Sequence, residues 1–310
     1  SCYEQDDSSG VTRLTPAPQR DKMSGVESPT DVRRYVRMKS LKPTVPIAAT
    51  FLICVTLGNL LADDAGERLL KATYKIANEK STATSVVIES PRSDGSTRKF
   101  LVTARHVLEA MVGDRCIVVN RIPQAPGIYA RNEIAISIRN SGKPLWRAHP
   151  NRDLAAVELP SELKINALPY ESIASENRLA QAHAGEAVRT AVYPERSEAN
   201  PAGFAILRGG SIASYPLVPI AANSSFLVDT TTWTGDSGGP VIHAEMRTEQ
   251  GDPIILGFVR GMRNITETSR ESRFVEKRTH YPLGISEVTA APFLLDLIPA
   301  PEASEENEAP

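Results

Sequence analysis

The residues with the clearest chemical potential lie in Trp233-Thr-Gly-Asp-Ser-Gly-Gly-Pro-Val241. A serine hydroxyl is a poor nucleophile until a base takes its proton and donors meet the oxyanion that its attack creates. Glycine on both sides of Ser237 lets the backbone turn sharply and present Oγ outward. Gly235 leaves room for an incoming carbonyl and allows backbone angles closed to other residues. The N–H groups of Gly235 and Ser237 can then face one small space. Pro240 opens the next strand, Val241-Ile242. The plainer alternative is a glycine-rich hairpin turn. A phosphate loop is excluded, because no Lys-Ser/Thr pair follows.

A base must come from elsewhere in the chain. Of the five histidines, His106 stands in Phe100-Leu-Val-Thr-Ala-Arg-His-Val-Leu108, where an apolar strand gives way to a helical turn. That is a rigid place from which an imidazole can face a cleft. A third group must hold the ring in the right tautomer and stabilise its cation. Asp153 precedes the apolar run Leu154–Leu159, which puts its carboxylate at a strand's mouth. Taken singly, each is more readily a surface group or a turn cap; together with the serine window they form a set.

The elements that must position these groups read mainly as strands. β-Branched runs recur at Ser85–Ile88, Phe100–Thr103, Cys116–Val119, Ile134–Ile138, Leu154–Leu159, Ala187–Val192, Phe226–Val228 and Ile254–Val259. Turn material separates them, including Ser93-Asp-Gly95, Asn140-Ser-Gly142 and Arg208-Gly-Gly210. No strand–helix alternation is sustained, so the pattern predicts an all-β antiparallel sandwich or barrel. A short amphipathic helix is expected within 66–79 and a closing helix over Glu287–Ile298.

Thr103-Ala-Arg-His106, Asp153-Leu-Ala and Gly235-Asp-Ser-Gly-Gly-Pro240 resemble the three motifs of trypsin-like (chymotrypsin-fold) serine peptidases, of bacterial type, in the order His, Asp, Ser. The resemblance runs over roughly residues 70–298. Ala184–Pro194 is similar to the stretch opening the second barrel, and Ile254–Gly261 to the strand lining the substrate cleft. The resemblance implies two packed six-stranded antiparallel β-barrels. It implies His106 as general base then acid, Asp153 as its orienter and Ser237 as nucleophile. The backbone N–H groups of Gly235 and Ser237 become the oxyanion hole. Peptide bonds of a protein or peptide substrate would be hydrolysed through an acyl-enzyme, with no metal and no organic cofactor.

The chain also departs from that pattern. Six residues before the serine, where trypsin has an acid, stands Thr231; with Thr232 it would make a small polar substrate-binding floor for uncharged side chains. An acid-selective pocket using His280 is the minor variant. The Ile-Val-Gly-Gly start of activated trypsins is absent after Ala62, so Asp236 must meet another cation, such as an arginine, or solvent. Arg105 replaces a small residue, and Ala83–Ile88 lacks the glycines usual in its strand. No PDZ-like segment follows residue 298. Two other classes compete with a serine endopeptidase. A catalytically silent binding or scaffold domain of the same fold has no physical need to keep the whole set. An esterase with a nucleophile elbow would place its acid and histidine after the serine.

The 310 residues carry 35 basic and 37 acidic side chains, a near balance that argues against a nucleic-acid binder. Residues 1–37 read as a disordered extension. Residues 38–62 read as a signal peptide or signal anchor: basic residues up to Lys42, then 18 uncharged positions from Val45 to Ala62, then Asp63 and Asp64. Met38 would supply a start, with the upstream residues an extension of the coding sequence. Cleavage after Ala62 would give a secreted or periplasmic protein; retention would anchor it through 45–62, facing outward. The peptidase domain is expected over 63–298 and an acidic disordered tail over 299–310. Cys116, inside a strand-like run, is expected to be a buried thiol.

Overall fold

Side chains alternate between two cores along the central strands, and this alternation explains the architecture. The computed structural model describes residues 65–271, 273 and 275–302. A helix over 65–72 (α1) leads into β1 (Thr73–Ala77), β2 (Thr82–Pro91) and β3 (Thr97–Thr103). The single-turn helix α2 (Arg105–Ala110) follows, then β4 (Arg115–Ala125) and β5 (Ile128–Ser137). Short strands come next: β6 (Arg139–Asn140), β7 (Lys143–Pro144), β8 (Trp146–Ala148), β9 (Ala155–Leu159) and β10 (Leu168–Pro169). After α3 (Glu176–Leu179) the chain builds β11 (Ala187–Val192), β12 (Ile206–Ser211), β13 (Ser225–Asp229), β14 (Pro240–Arg247), β15 (Pro253–Arg270) and β16 (Glu276–Ala290).

The first sheet runs β5-β4-β1-β2-β3-β9-β8, with β10 parallel beside β2. The second runs β12-β11-β14-β15-β16-β13, and an isolated bridge between Ile212 and Val228 draws its two outer strands together. Both are otherwise antiparallel, the chymotrypsin-like arrangement. In β2 and β3, Val87 and Leu101 fill the core of the first sheet, with Tyr74, Leu108 and Ile138. Their neighbours Val86, Ile88, Phe100 and Val102 pack into the core of the second, with Phe226, Phe258 and Val288. A period of two thus buries both faces of one hairpin and joins the halves. Each such side chain taken fully from water contributes roughly 1.5–3 kcal/mol.

All eight strand runs expected from the sequence lie in strands, to within a residue at their ends. Four local expectations change. The helix expected within 66–79 stops at 72, and Thr73–Ala77 becomes β1, whose β-branched Thr73 and Ile76 are both buried, on opposite faces of the strand. The closing helix over Glu287–Ile298 is strand as far as Ala290, followed by a 3-10 turn over Ala291–Leu294. Pairing of Phe226–Ser225 and Gly257–Val259 on either side of this stretch claims its backbone, and Pro292 cannot continue a helical ladder. Arg208-Gly-Gly210 lies inside β12 rather than in a turn; a side chain at Gly210 would meet the Asp229 carbonyl at 2.6 Å. The first sheet also carries eight strands rather than six.

The tail expected to be disordered from 299 begins docked. Ser90 Oγ donates to the Pro299 carbonyl (2.8 Å), and the Ser93 N–H and hydroxyl donate to Glu302. Cys116 is buried, and burial pushes its thiol up to about 12. Residues 1–64, with the expected extension and the signal or anchor segment, and 303–310 lie outside the described residues. Among the described residues no helix is long and apolar enough to cross a membrane.

Candidate active site

Strand β3 ends at Thr103, and the chain turns through Ala104 into α2, whose second residue is His106. Asp153 sits two residues before β9, the neighbour of β3 in the sheet. Its Oδ1 accepts the His106 backbone N–H at 2.9 Å, and its Oδ2 lies 2.6 Å from His106 Nδ1. The two oxygens thus fix both the position and the orientation of the ring. The far nitrogen, Nε2, lies 3.2 Å from Ser237 Oγ. With Nδ1–H donating to the carboxylate, Nε2 is left as acceptor for the serine proton. Asp153 is mostly buried while the ring is about half exposed. Burial works against the Asp153 carboxylate, but the two bonds from His106 and the nearby charges of His106 and Arg260 hold it below the usual carboxylate range.

Ser237 comes from a loop of the second sheet that is strapped to the first. Thr84, on β2, donates its hydroxyl to the Gly235 carbonyl (2.7 Å) and its N–H to the Ser237 carbonyl (3.1 Å). The same hydroxyl accepts the Tyr193 N–H (3.1 Å). These bonds use the loop's carbonyls and leave its donors: among the described residues the N–H groups of Gly235 and Ser237 have no acceptor. Gly235 is required on two counts. Its φ is +100°, and a Cβ there would stand 2.3 Å from the Tyr193 carbonyl oxygen. Gly238 is packed as tightly, its would-be Cβ 2.1 Å from Thr103 Oγ1.

Residues 83–248, more than half of the chain and holding all three side chains, match the trypsin-like peptidase domain family. The chain belongs to this family. Among solved structures it is similar to an inactive serine-to-alanine mutant of Rv3671c from M. tuberculosis H37Rv, at 16% identity and a TM-score of 0.43 over 78% of this chain and 90% of that one. It is also similar to the catalytically active tobacco etch virus protease complexed with product, at 11% identity and a TM-score of 0.44 over 75% and 79%. None of the functionally curated proteins matches it.

In this trypsin-like peptidase the cation that meets Asp236 is Arg208. Asp236 Oδ2 accepts from Arg208 Nη1 at 3.0 Å and from the Trp233 N–H at 2.9 Å, while buried Oδ1 accepts from no described residue. Burial dominates: despite those two donors the Asp236 carboxyl is pushed up to about 6. The partner comes from β12, whose Arg208-Gly-Gly210 reads as turn in the sequence; the alternation Ile206, Arg208, Gly210 on one face is the signal that marks the strand. Arg105, the other departure, pairs with Glu109 within α2 and donates to the His149 carbonyl (3.3 Å), a bond that ties α2 to the segment leading to Asp153.

The two threonines of the expected substrate floor differ. Thr232 is buried, and its hydroxyl is hydrogen-bonded to Ser286, which in turn donates to the Thr230 carbonyl. Thr231 is half-buried, with its Oγ1 near Gly284. His280 lies out on the β15–β16 hairpin, bonded to Thr266 across the strands (2.8 Å). Two hollows of about 600 and 640 Å³ open on the first sheet, lined among others by Arg115 and Val119 and by Asn120 and Lys164; neither includes a residue of the triad.

Proposed function

We propose that this peptidase is an exported serine endopeptidase acting through His106, Asp153 and Ser237. The observation that carries the reading is the continuous chain Asp153–His106–Ser237, at 2.6 and 3.2 Å, ending beside two unengaged N–H groups. Ser237 Oγ attacks the scissile carbonyl carbon while its proton passes to His106 Nε2. The carbonyl oxygen becomes an oxyanion that accepts from the N–H groups of Gly235 and Ser237. His106 then gives the proton to the leaving amine, and the C–N bond breaks to leave an ester on Ser237. Water, deprotonated by the same nitrogen, hydrolyses that ester and restores the serine. Asp153 stays ionised throughout and stabilises the imidazolium.

The side chain preceding the cleaved bond is proposed to be uncharged, because Thr231 stands where an acid would select lysine or arginine. Export rests on the uncharged run Val45–Ala62 behind a basic flank. A fluorophosphonate label tests the chemistry: it should modify the protein at Ser237 and leave Ser237→Ala untouched. Absence of labelling from both, in folded protein, would remove the nucleophile from the argument. Ester turnover without peptide cleavage would assign the same serine to another hydrolase class. Sequencing the N-terminus of the protein recovered outside the cell tests export; the expected first residue is Asp63.

A further inference from the structure

His149 lies four residues before Asp153 and is only 7% exposed, yet the proposed reaction does not use it. A buried imidazole needs partners at both ring nitrogens. Its Nδ1 accepts the Asn151 N–H at 3.2 Å, which leaves the ring proton on Nε2, 3.4 Å from Asp296 Oδ2. The ring stands edge-on to Phe293, with centroids 5.2 Å apart and planes at 69°.

The backbone of the same residue is engaged on both sides. Its N–H donates to the Leu154 carbonyl (2.9 Å) and closes the loop that carries Asp153. Its carbonyl accepts from Arg105 Nη1 (3.3 Å), the residue next to His106. Two neighbours reach the same C-terminal segment. Arg147 Nη1 donates to the Leu297 carbonyl (3.3 Å), and the Arg152 guanidinium lies 4.8 Å from the centroid of the Phe293 ring.

That segment is rooted in the other half of the molecule. Ala291, Leu294 and Ile298 are buried in the core of the second sheet, with Phe258 and Val288. Ser237 belongs to a loop of that sheet, whereas His106 follows β3 and Asp153 precedes β9 in the first. Three groups divided in this way keep their spacing only if the halves are tied at the acid as well as at the serine. Thr84 makes the tie at the serine. His149 and Phe293 make it at the acid.

We propose that His149 is a positioning residue for the triad: clamped against Phe293, it fixes the loop 149–153 and with it the reach of Asp153 to His106. The inference rests on the peptidase reading above and adds to it a side chain that never touches substrate. Because it acts through Asp153, its loss should appear in kcat and leave KM nearly unchanged.

The test compares variants of the whole chain. His149→Asn keeps an acceptor for the N–H two residues on, as in an Asx turn, whereas His149→Phe keeps an aromatic ring and removes the acceptor. His149→Phe should lower kcat about tenfold or more with KM within about twofold, and His149→Asn should keep kcat within about threefold of native. The low-field proton that His106 Nδ1 donates to Asp153 should persist in the proton NMR of His149→Asn and shift or broaden in His149→Phe. A side chain that only stabilises the fold would lower Tm and leave kcat and that proton unmoved. Phe293→Leu keeps an apolar side chain without the ring edge and should lower kcat about three- to tenfold; it decides the matter if His149→Phe fails to fold. Native kcat and an unmoved low-field proton in folded His149→Phe overturn the proposal, as do equal losses in His149→Phe and His149→Asn, or native kcat in Phe293→Leu. If the native chain cleaves no peptide and takes no fluorophosphonate label, the peptidase reading itself is rejected, and the NMR comparison alone then upholds or overturns the clamp.

Discussion

Replacing Arg208 by methionine isolates the buried ion pair that stands behind the candidate oxyanion loop. Asp236 is nearly inaccessible and lies between Gly235 and Ser237, so its position fixes theirs. Its carboxyl rises from an ordinary 3.8 to about 6 on folding. The folded state therefore holds the proton more tightly than the unfolded chain, and this group's stabilising effect is full below pH 4. About 3 kcal/mol of it is lost as pH rises from 4 to 6, at 1.36 kcal/mol per unit, after which the contribution is level. Without Arg208 the charged form loses its counter-ion, and the carboxyl stays protonated to higher pH. The decline then continues past 6. The stability difference between Arg208→Met and the native chain should be near zero at pH 5, about 1–2 kcal/mol at pH 7 and about 3 kcal/mol at pH 8. Protonation limits the loss at neutral pH to less than the roughly 3–5 kcal/mol expected when a buried charge is left ionised and unpaired. Urea unfolding at the three pH values measures it. With the loop loosened, kcat at pH 8 should fall about 10- to 100-fold, less than for outright loss of an oxyanion donor. A stability difference that is the same at pH 5 and pH 8 would refute the argument, because it would mean that Asp236 does not titrate in this range.

Three further outcomes follow from the same geometry. Asp153→Asn should keep the fold and lower kcat about 10⁴-fold, because an amide can leave His106 in the wrong tautomer; circular dichroism with peptide hydrolysis checks both halves. Gly235→Ala should lower kcat by about 10²-fold or more and cost about 1–3 kcal/mol of stability in thermal unfolding, from the positive φ and the clash with the Tyr193 carbonyl. Thr84→Val removes the hydroxyl shared by Gly235 and Tyr193; it should cost about 1–3 kcal/mol and slow fluorophosphonate labelling of Ser237 while leaving the His106–Asp153 contact unchanged in the proton NMR of the ring.

The sequence made the strands legible where both faces are buried, because runs such as Val86–Ile88 and Phe100–Val102 are apolar at every position and short enough to exclude a helix. It misled at Glu287–Ile298, where Val288, Leu294 and Leu297 fit a helical face although the first half is claimed by strands on both sides. The spacing of helix and strand coincides over so few residues, and only tertiary pairing decides between them. The three side chains now found together were legible because each carries a local signature: glycines around the serine, a strand end before the histidine, a strand mouth at the aspartate. Arg208 had none. An arginine followed by two glycines reads as a turn, and its role depends on a carboxylate 28 positions away. Thr84 was equally silent, since a threonine within a strand usually means only β-propensity.

Thr84 and Arg208 together explain how the loop around Ser237 holds its shape with an internal cation at Asp236. The first sheet binds the loop's carbonyls from one side through Thr84, and β12 of the second holds its carboxylate from the other through Arg208. Tyr193 closes the remaining side, its carbonyl oxygen against Gly235 and its own hydroxyl held by buried Arg121 from β4. The carbonyls of Gly235 and Ser237 are thus held by Thr84 of the first sheet, and those of Trp233, Thr234 and Asp236 by the N–H groups of Asp236, Glu195 and Gly239. The Gly235 N–H shares its peptide plane with the Thr234 carbonyl, which accepts the Glu195 N–H at 2.7 Å. The Ser237 N–H shares its plane with the Asp236 carbonyl, which accepts the Gly239 N–H at 2.9 Å. Turning either peptide would break that bond, so the loop's own hydrogen bonds orient both donors.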